Sequence, residues 1–133
     1  LARRYLATLQ AIAYGTRHII DVLVESGHQI DRIIMCGGAT KNPLWLREYA
    51  NATGREIHLA KEEDAVTLGA AILGAVACQA FPDFSSAAKA IVSYGQTISP
   101  DQRTQAFHDA KFQVYLQMYQ DQQRYREIMN SAQ

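Results

Sequence analysis

The stretch RIIMCGGATKNPLW, Arg32 to Trp45, decides how the rest of the chain is read. Four apolar residues run into two adjacent glycines, a small residue, a hydroxyl, a lysine, an asparagine and a proline. The apolar, β-branched run inside DRIIMC has the length and character of a buried strand. Asn42 is placed to cap the helix that follows, and Pro43 falls in its first turn, where the missing N–H costs nothing. A chain that rises from a strand into Gly-Gly and then re-enters a helix presents backbone N–H groups to solvent. Such groups favour anions, phosphates above all.

Outward from this loop, helices and strands alternate. On the N-terminal side, Tyr5, Leu9, Ile12, Thr16, Ile19, Ile20 and Leu23 recur at three- and four-residue steps, predicting a long first helix with those side chains on its inner stripe. It should end at ESGHQ, where Gly27 can reverse the chain. On the C-terminal side, NPLWLREYANATG reads as a helix with Leu44, Leu46, Tyr49 and Ala50 inward and Gly54 closing it. REIHLA is a second short strand, expected parallel to the first because a strand, loop and helix precede it: a βαβ unit. KEEDAVTLGAAILGAVACQAF predicts a helix capped by Asp64, with Glu62 and Glu63 complementing its positive end. Its small and apolar body is expected to be buried nearly all round, with Gly69, Ala70, Ala71, Gly74 and Ala75 allowing close approach of another backbone. PDFSSAAKAIVSY reads as a further helix, TISPDQ as a turn, and RTQAFHDAKFQVYLQMYQDQQRYREIMN as a final helix with Phe107, Ala110, Val114, Met118, Tyr125 and Met129 along one side.

Composition narrows the classes of partner. The chain has 133 residues, 48% of them hydrophobic, which is enough for one domain with a core but small for a complete metabolic enzyme. Thirteen Lys and Arg balance thirteen Asp and Glu, so nothing points to nucleic acid. No apolar run approaches the ~20 residues of a membrane helix, and a cytoplasmic location is expected. Two cysteines, Cys36 and Cys78, form no C-x-x-C pair and are expected to be buried, reduced thiols. The sequence starts at LARRYLATLQ without a methionine or leader pattern, and a piece of a longer polypeptide is expected.

The loop contains neither G-x-G-x-x-G nor G-x-x-x-x-G-K-[ST], so neither the dinucleotide fingerprint nor the P-loop applies. The Asn42 amide can donate to and accept from a purine edge or ribose. Other candidates have ordinary explanations. His18 and Asp21 lie three apart on a helix but lack further ligands at matching spacing. His28, His58 and His108 are scattered and read as structural or exposed. Cys36 has no neighbouring base to activate it, and Glu62, Glu63 and Asp64 are explained by the helix dipole rather than a metal. The tyrosines and glutamines of the final helix fit intramolecular packing.

The run IIMCGGATKNPLWLREYANATGREIHLAKEEDAVTLGAAILGA resembles the second-lobe nucleotide-binding segment of the FGGY carbohydrate kinases. These belong to the superfamily that joins sugar kinases, heat-shock chaperone ATPases and actin. The Gly-Gly-Ala loop, the Asn-Pro helix start and the TLGAA helix together carry the likeness, and PDFSSAAKAIVSYGQTISPD with the tyrosine-rich tail is most similar to pentulose kinases of the ribulokinase and D-ribulokinase type. The resemblance implies an α/β fold: a helix-rich piece of a ribonuclease H-like ATPase lobe, with 1–133 forming the C-terminal part of the second lobe.

It also implies nucleotide binding by Gly37, Gly38, Ala39, Thr40 and Asn42, the glycines meeting the ATP phosphates, Ala39 keeping the loop narrow and Asn42 lying near adenine. Lys41 borders the same pocket. Thr67 to Ala71 would pack behind the loop, and Asp64 stands where many relatives have Glu. The implied reaction is ATP-dependent phosphorylation of a sugar hydroxyl, a pentulose such as ribulose, with Mg2+ held by residues of the first lobe. No residue of this chain matches the catalytic aspartate, so the isolated chain is expected to be inactive. Two strands are too few for a self-sufficient sheet, and their open edges are expected to take the rest of the kinase or a second copy of the chain. The alternative is a non-catalytic helical interaction module whose glycines serve only a turn.

Overall fold

The computed structural model describes residues 1–62 and 64–131; the dipole role expected of Glu63 falls outside them. Helix α1 (Ala2–Glu25) leads into strand β1 (Arg32–Met35), a 3-10 turn (Gly38–Lys41) and helix α2 (Pro43–Thr53). Strand β2 (Glu56–Ala60), helices α3 (Ala65–Ala77) and α4 (Phe84–Ile91), strand β3 (Tyr94–Ile98) and helix α5 (Gln105–Asn130) follow.

The βαβ unit is present. β1 and β2 are parallel, with Ile33 opposite Ile57 and Met35 opposite Leu59. Their period-2 alternation turns Ile33, Met35, Ile57 and Leu59 toward α2, where they pack with Leu46, Ala50, Tyr49 and Ile98. Asn42 caps α2 as expected, its side-chain oxygen accepting from the N–H groups of Leu44 and Trp45. Gly54 ends the helix at φ 65°, the left-handed conformation that a side chain would strain.

The sheet has three strands in the order β1-β2-β3, not two. β3 runs antiparallel to β2, pairing Ile57 with Ile98 and His58 with Thr97. It lies where SY was read as the end of a helix and TI as the start of a turn. Only Ile98 of this strand is even half-buried, so YGQTI lacks the apolar alternation that marks a strand in sequence.

A second core forms where α1 and α5 meet the outer side of α2, around Ala13, Tyr14, Ala52 and Phe112. Here the expected inner stripes are corrected. In α1 the buried residues are Leu9, Gln10, Ala13, Tyr14 and Ile20, while Tyr5, Ile12 and Ile19 are exposed. In α5 they are His108 and Phe112, while Phe107, Val114, Met118, Tyr125 and Met129 are exposed. Polar contacts choose the face. The Tyr14 hydroxyl lies 2.9 Å from Nδ1 of His108, Gln10 donates to Glu48 at 2.7 Å, and Lys111 donates to the side-chain amide oxygen (Oε1) of Gln10. Arg17 pairs with Asp109 at 2.8 Å and lies 4.4 Å from the centre of the Phe112 ring. Amphipathic side chains here bury their apolar bodies and satisfy their polar tips locally.

Helix α3 is the largest departure. Expected to be buried on every side, it buries only Ile72, and Val66 and Leu73 are exposed. α4 packs against it, leaving the rest of its surface uncovered within this chain. Both cysteines are exposed as well: Cys36 lies just past the last paired residue of β1, and Cys78 caps the exposed α3. No helix among the described residues is long and apolar enough to cross a membrane.

Candidate functional site

Because β1 and β2 are parallel, their carboxyl ends open on the same edge of the sheet, where α/β folds form ligand crevices. The chain leaves β1 through Cys36 and reverses at Gly37, whose φ of 82° and ψ of −170° place it in a region essentially reserved for glycine. The next four residues make the 3-10 turn. The Thr40 N–H donates to the Gly37 carbonyl at 3.1 Å, its hydroxyl donates to the same oxygen at 2.6 Å, and the Asn42 N–H donates to the Ala39 carbonyl at 3.2 Å. The N–H groups of Gly38 and Ala39, in the first turn, have no intrahelical acceptor behind them. A Cβ at Gly37 or Gly38 would meet nothing within 4 Å, so the turn is bare and open.

A groove of about 400 Å3 lies beside this turn, lined by Cys36, Gly37, Thr40, Lys41 and, from β2 and its continuation, Leu59 to Glu62, with Gly95 and Gln96 from β3. Strand β3 completes the wall. A Cβ on its Gly95 would be in ordinary contact with β2, 3.8 Å from the Leu59 carbonyl oxygen and 3.9 Å from the Lys61 Cα. The Lys61 N–H donates to the Ser93 carbonyl at 3.0 Å, tying the end of β2 to the start of β3.

Of the residues singled out from sequence, Gly37 and Thr40 line the groove with Lys41. Gly38 and Ala39 form the turn at its rim, and Asn42 faces the other way. Its carbonyl oxygen is engaged in the α2 cap, and its amide donates to the Tyr5 hydroxyl of α1 at 2.8 Å. Asn42 therefore fixes the turn between two helices. Lys61, Gly95 and Gln96 were not anticipated. Lys61 lies as far beyond Leu59 as Gly37 lies beyond Met35, the ladder partner of Leu59, a register set only by the strand pairing; Gly95 and Gln96 were lost with β3.

Among the described residues Glu62 is the single carboxylate lining the groove, and it accepts from the Asp64 N–H at 3.3 Å. Among the described residues no three His, Cys, Asp or Glu side chains are grouped to hold a metal ion. None of the described residues is assigned to a divalent cation arriving with a nucleotide. Asp64 itself caps α3, accepting from the Thr67 N–H at 3.0 Å and from its hydroxyl at 2.7 Å. These hydrogen bonds to Thr67 hold its pKa below the ordinary value.

A family model described as the FGGY family of carbohydrate kinases, C-terminal domain, matches residues 1–78. The chain is 43% identical to an FGGY carbohydrate kinase domain-containing protein from Xenopus laevis over 129 residues, 97% of this chain and 24% of the relative. It is 36% identical to a ribulokinase from Anoxybacillus flavithermus over 121 residues, 86% of this chain and 22% of that protein. Among solved structures it is similar to a xyloylose kinase from Brucella ovis at a TM-score of 0.79 and 27% identity, covering 90% of this chain and 24% of that one. The chain thus spans about a quarter of the length of the curated relatives it matches.

Proposed function

The chain belongs to the FGGY family of carbohydrate kinases, phosphotransferases that act on an alcohol group, and from that premise we propose that residues 1–133 form the C-terminal part of the second, nucleotide-binding lobe of such an enzyme. The complete protein transfers the γ-phosphoryl group of ATP to a sugar hydroxyl. A pentulose such as ribulose is the acceptor favoured by the likeness to ribulokinases.

The observation that carries this reading is the bare glycine turn at the carboxyl edge of two parallel strands, beside a groove with two lysines. Gly37 and Gly38 let the ATP phosphates approach the main chain, where the N–H groups of Gly38 and Ala39 donate to them. Ala39 keeps the rim low, and Thr40, its hydroxyl hydrogen directed to Gly37, offers oxygen lone pairs to solvent or ligand. Asn42 acts on the site indirectly, holding the turn in register through its cap and its bond to Tyr5. Phosphoryl transfer depends chiefly on positioning and on neutralising charge. This lobe contributes to both, and the base that accepts the sugar proton belongs to the other lobe. Water is excluded only when two lobes close, so the chain alone binds nucleotide weakly and turns over no sugar.

The unpaired outer edge of β1 is where we place further strands of the same lobe. Calorimetry on the complete kinase tests the nucleotide reading. Gly38→Val, at a position with room for a side chain and no requirement for positive φ, should abolish ATP binding and leave the melting temperature in place. Undiminished ATP binding in that variant would instead support an interaction module with a purely structural turn.

A further inference from the structure

Lys61 is the second feature of the groove that chemistry singles out, and its position follows from the sheet. Met35 and Leu59 are partners in the parallel ladder. Gly37 lies two residues beyond the first and Lys61 two residues beyond the second, so both leave their strands on the same edge, and neighbouring strands are only about 4.8 Å apart. Both line the one groove. The Lys61 backbone is held by its N–H bond to the Ser93 carbonyl, with Gly95 packed beside it. The β2–β3 register shifts between His58 and Ala60, where two residues of β3, Gly95 and Gln96, face the single Leu59 of β2. Among the described residues the charged side chains along the groove are Lys41, Lys61 and Glu62.

We infer that Lys61 is a phosphate-binding residue of this groove: its ammonium group engages the polyphosphate of the nucleotide across from the Gly37–Gly38 turn. The inference rests on the nucleotide reading given above and adds a residue to it. A flexible ammonium on a fixed backbone can follow a phosphate chain as a point charge, while the N–H groups of the turn provide directional contacts. Lys61 thereby distinguishes nucleotides by phosphate charge and is indifferent to the base.

The test uses the complete kinase and measures dissociation constants for ATP, ADP and adenosine in wild type, Lys61→Met, Lys61→Arg and Gly38→Val. Lys61→Met should weaken ATP and ADP by roughly tenfold, the scale of one charge-assisted contact. It should leave adenosine and the thermal midpoint unchanged, and Lys61→Arg should recover most of the loss. If Gly38→Val abolishes ATP binding while Lys61→Met does not weaken it, the groove stands and the assignment of Lys61 is wrong. If neither variant weakens ATP, the groove itself is not the nucleotide site. An equal loss for adenosine and ATP in Lys61→Met would assign Lys61 to the fold and overturn the inference.

Discussion

Helices α2 and α3 start alike and end up in opposite environments. Each follows a strand or its continuation, and each is opened by a side-chain cap, Asn42 for α2 and Asp64 for α3. By composition α3 should be the buried one, since AVTLGAAILGAVA has no charged residue, whereas α2 contains Arg47 and Glu48. Yet α2 buries Leu46 and the whole run from Ala50 to Thr53, and α3 buries only Ile72. The difference lies in what the topology brings against each. α2 is the crossover of the βαβ unit and must lie on the sheet, with α1 and α5 on its other side. α3 has α4 beside it in this chain, and its Val66 and Leu73, two turns apart, stay exposed.

The largest expected effect separates the two helices by truncation. Ile57 is 0% exposed beneath α2, and Leu73 on α3 is 61% exposed. In chemical denaturation Ile57→Ala should cost about 3 kcal/mol, and Leu73→Ala within about 0.5 kcal/mol. Equal losses would mean that α3 has found a cover, by self-association or otherwise, and dilution would then restore the difference.

A smaller effect should appear on the outer side of α2, where polar groups are buried. Burial, followed by the negative charge of Glu48, pushes the Tyr14 phenol up to about 12, so it stays protonated beside Nδ1 of His108, 2.9 Å away. Burial in turn holds the His108 imidazole below its ordinary value of 6.5, against the opposing pull of Glu48. Lys111, Arg17 and Asp109 also face it. A folded pKa below the unfolded one means that the unfolded chain binds more protons at acid pH, so stability rises with pH there. The contribution is complete above 6.5 and is lost as pH falls from that value through the folded pKa. Unfolding free energies measured across this window should decline toward acid in wild type. The decline should be shallower in His108→Leu, and an unchanged slope would show that His108 is not the group responsible.

The same contrast explains what could be read from residues alone. Local signals were legible: the Asn42 cap, Pro43 at the helix start and Gly54 at its end depend on near neighbours, whereas β1, read as a buried strand, is half-buried on one face only and leaves Ile34 exposed. Burial of helix faces depends on remote partners. Gln10 and His108 are inside because Glu48, Lys111 and Tyr14 meet them there, and no three- or four-residue spacing encodes that meeting. β3 was hidden because an exposed antiparallel edge strand needs no apolar alternation. Half of the groove followed from the glycine turn. The half contributed by Lys61, Gly95 and Gln96 required the register of β2 and the existence of β3.

The central claim is that the turn at Gly37 and Gly38 is bare so that a phosphate chain can rest against its main chain. The most direct measurement is a crystal structure of the complete kinase with a non-hydrolysable ATP analogue. The account predicts phosphate oxygens within hydrogen-bond distance, about 3 Å, of the Gly38 and Ala39 N–H groups. A phosphate chain bound elsewhere, with this turn packed shut against protein, would contradict it.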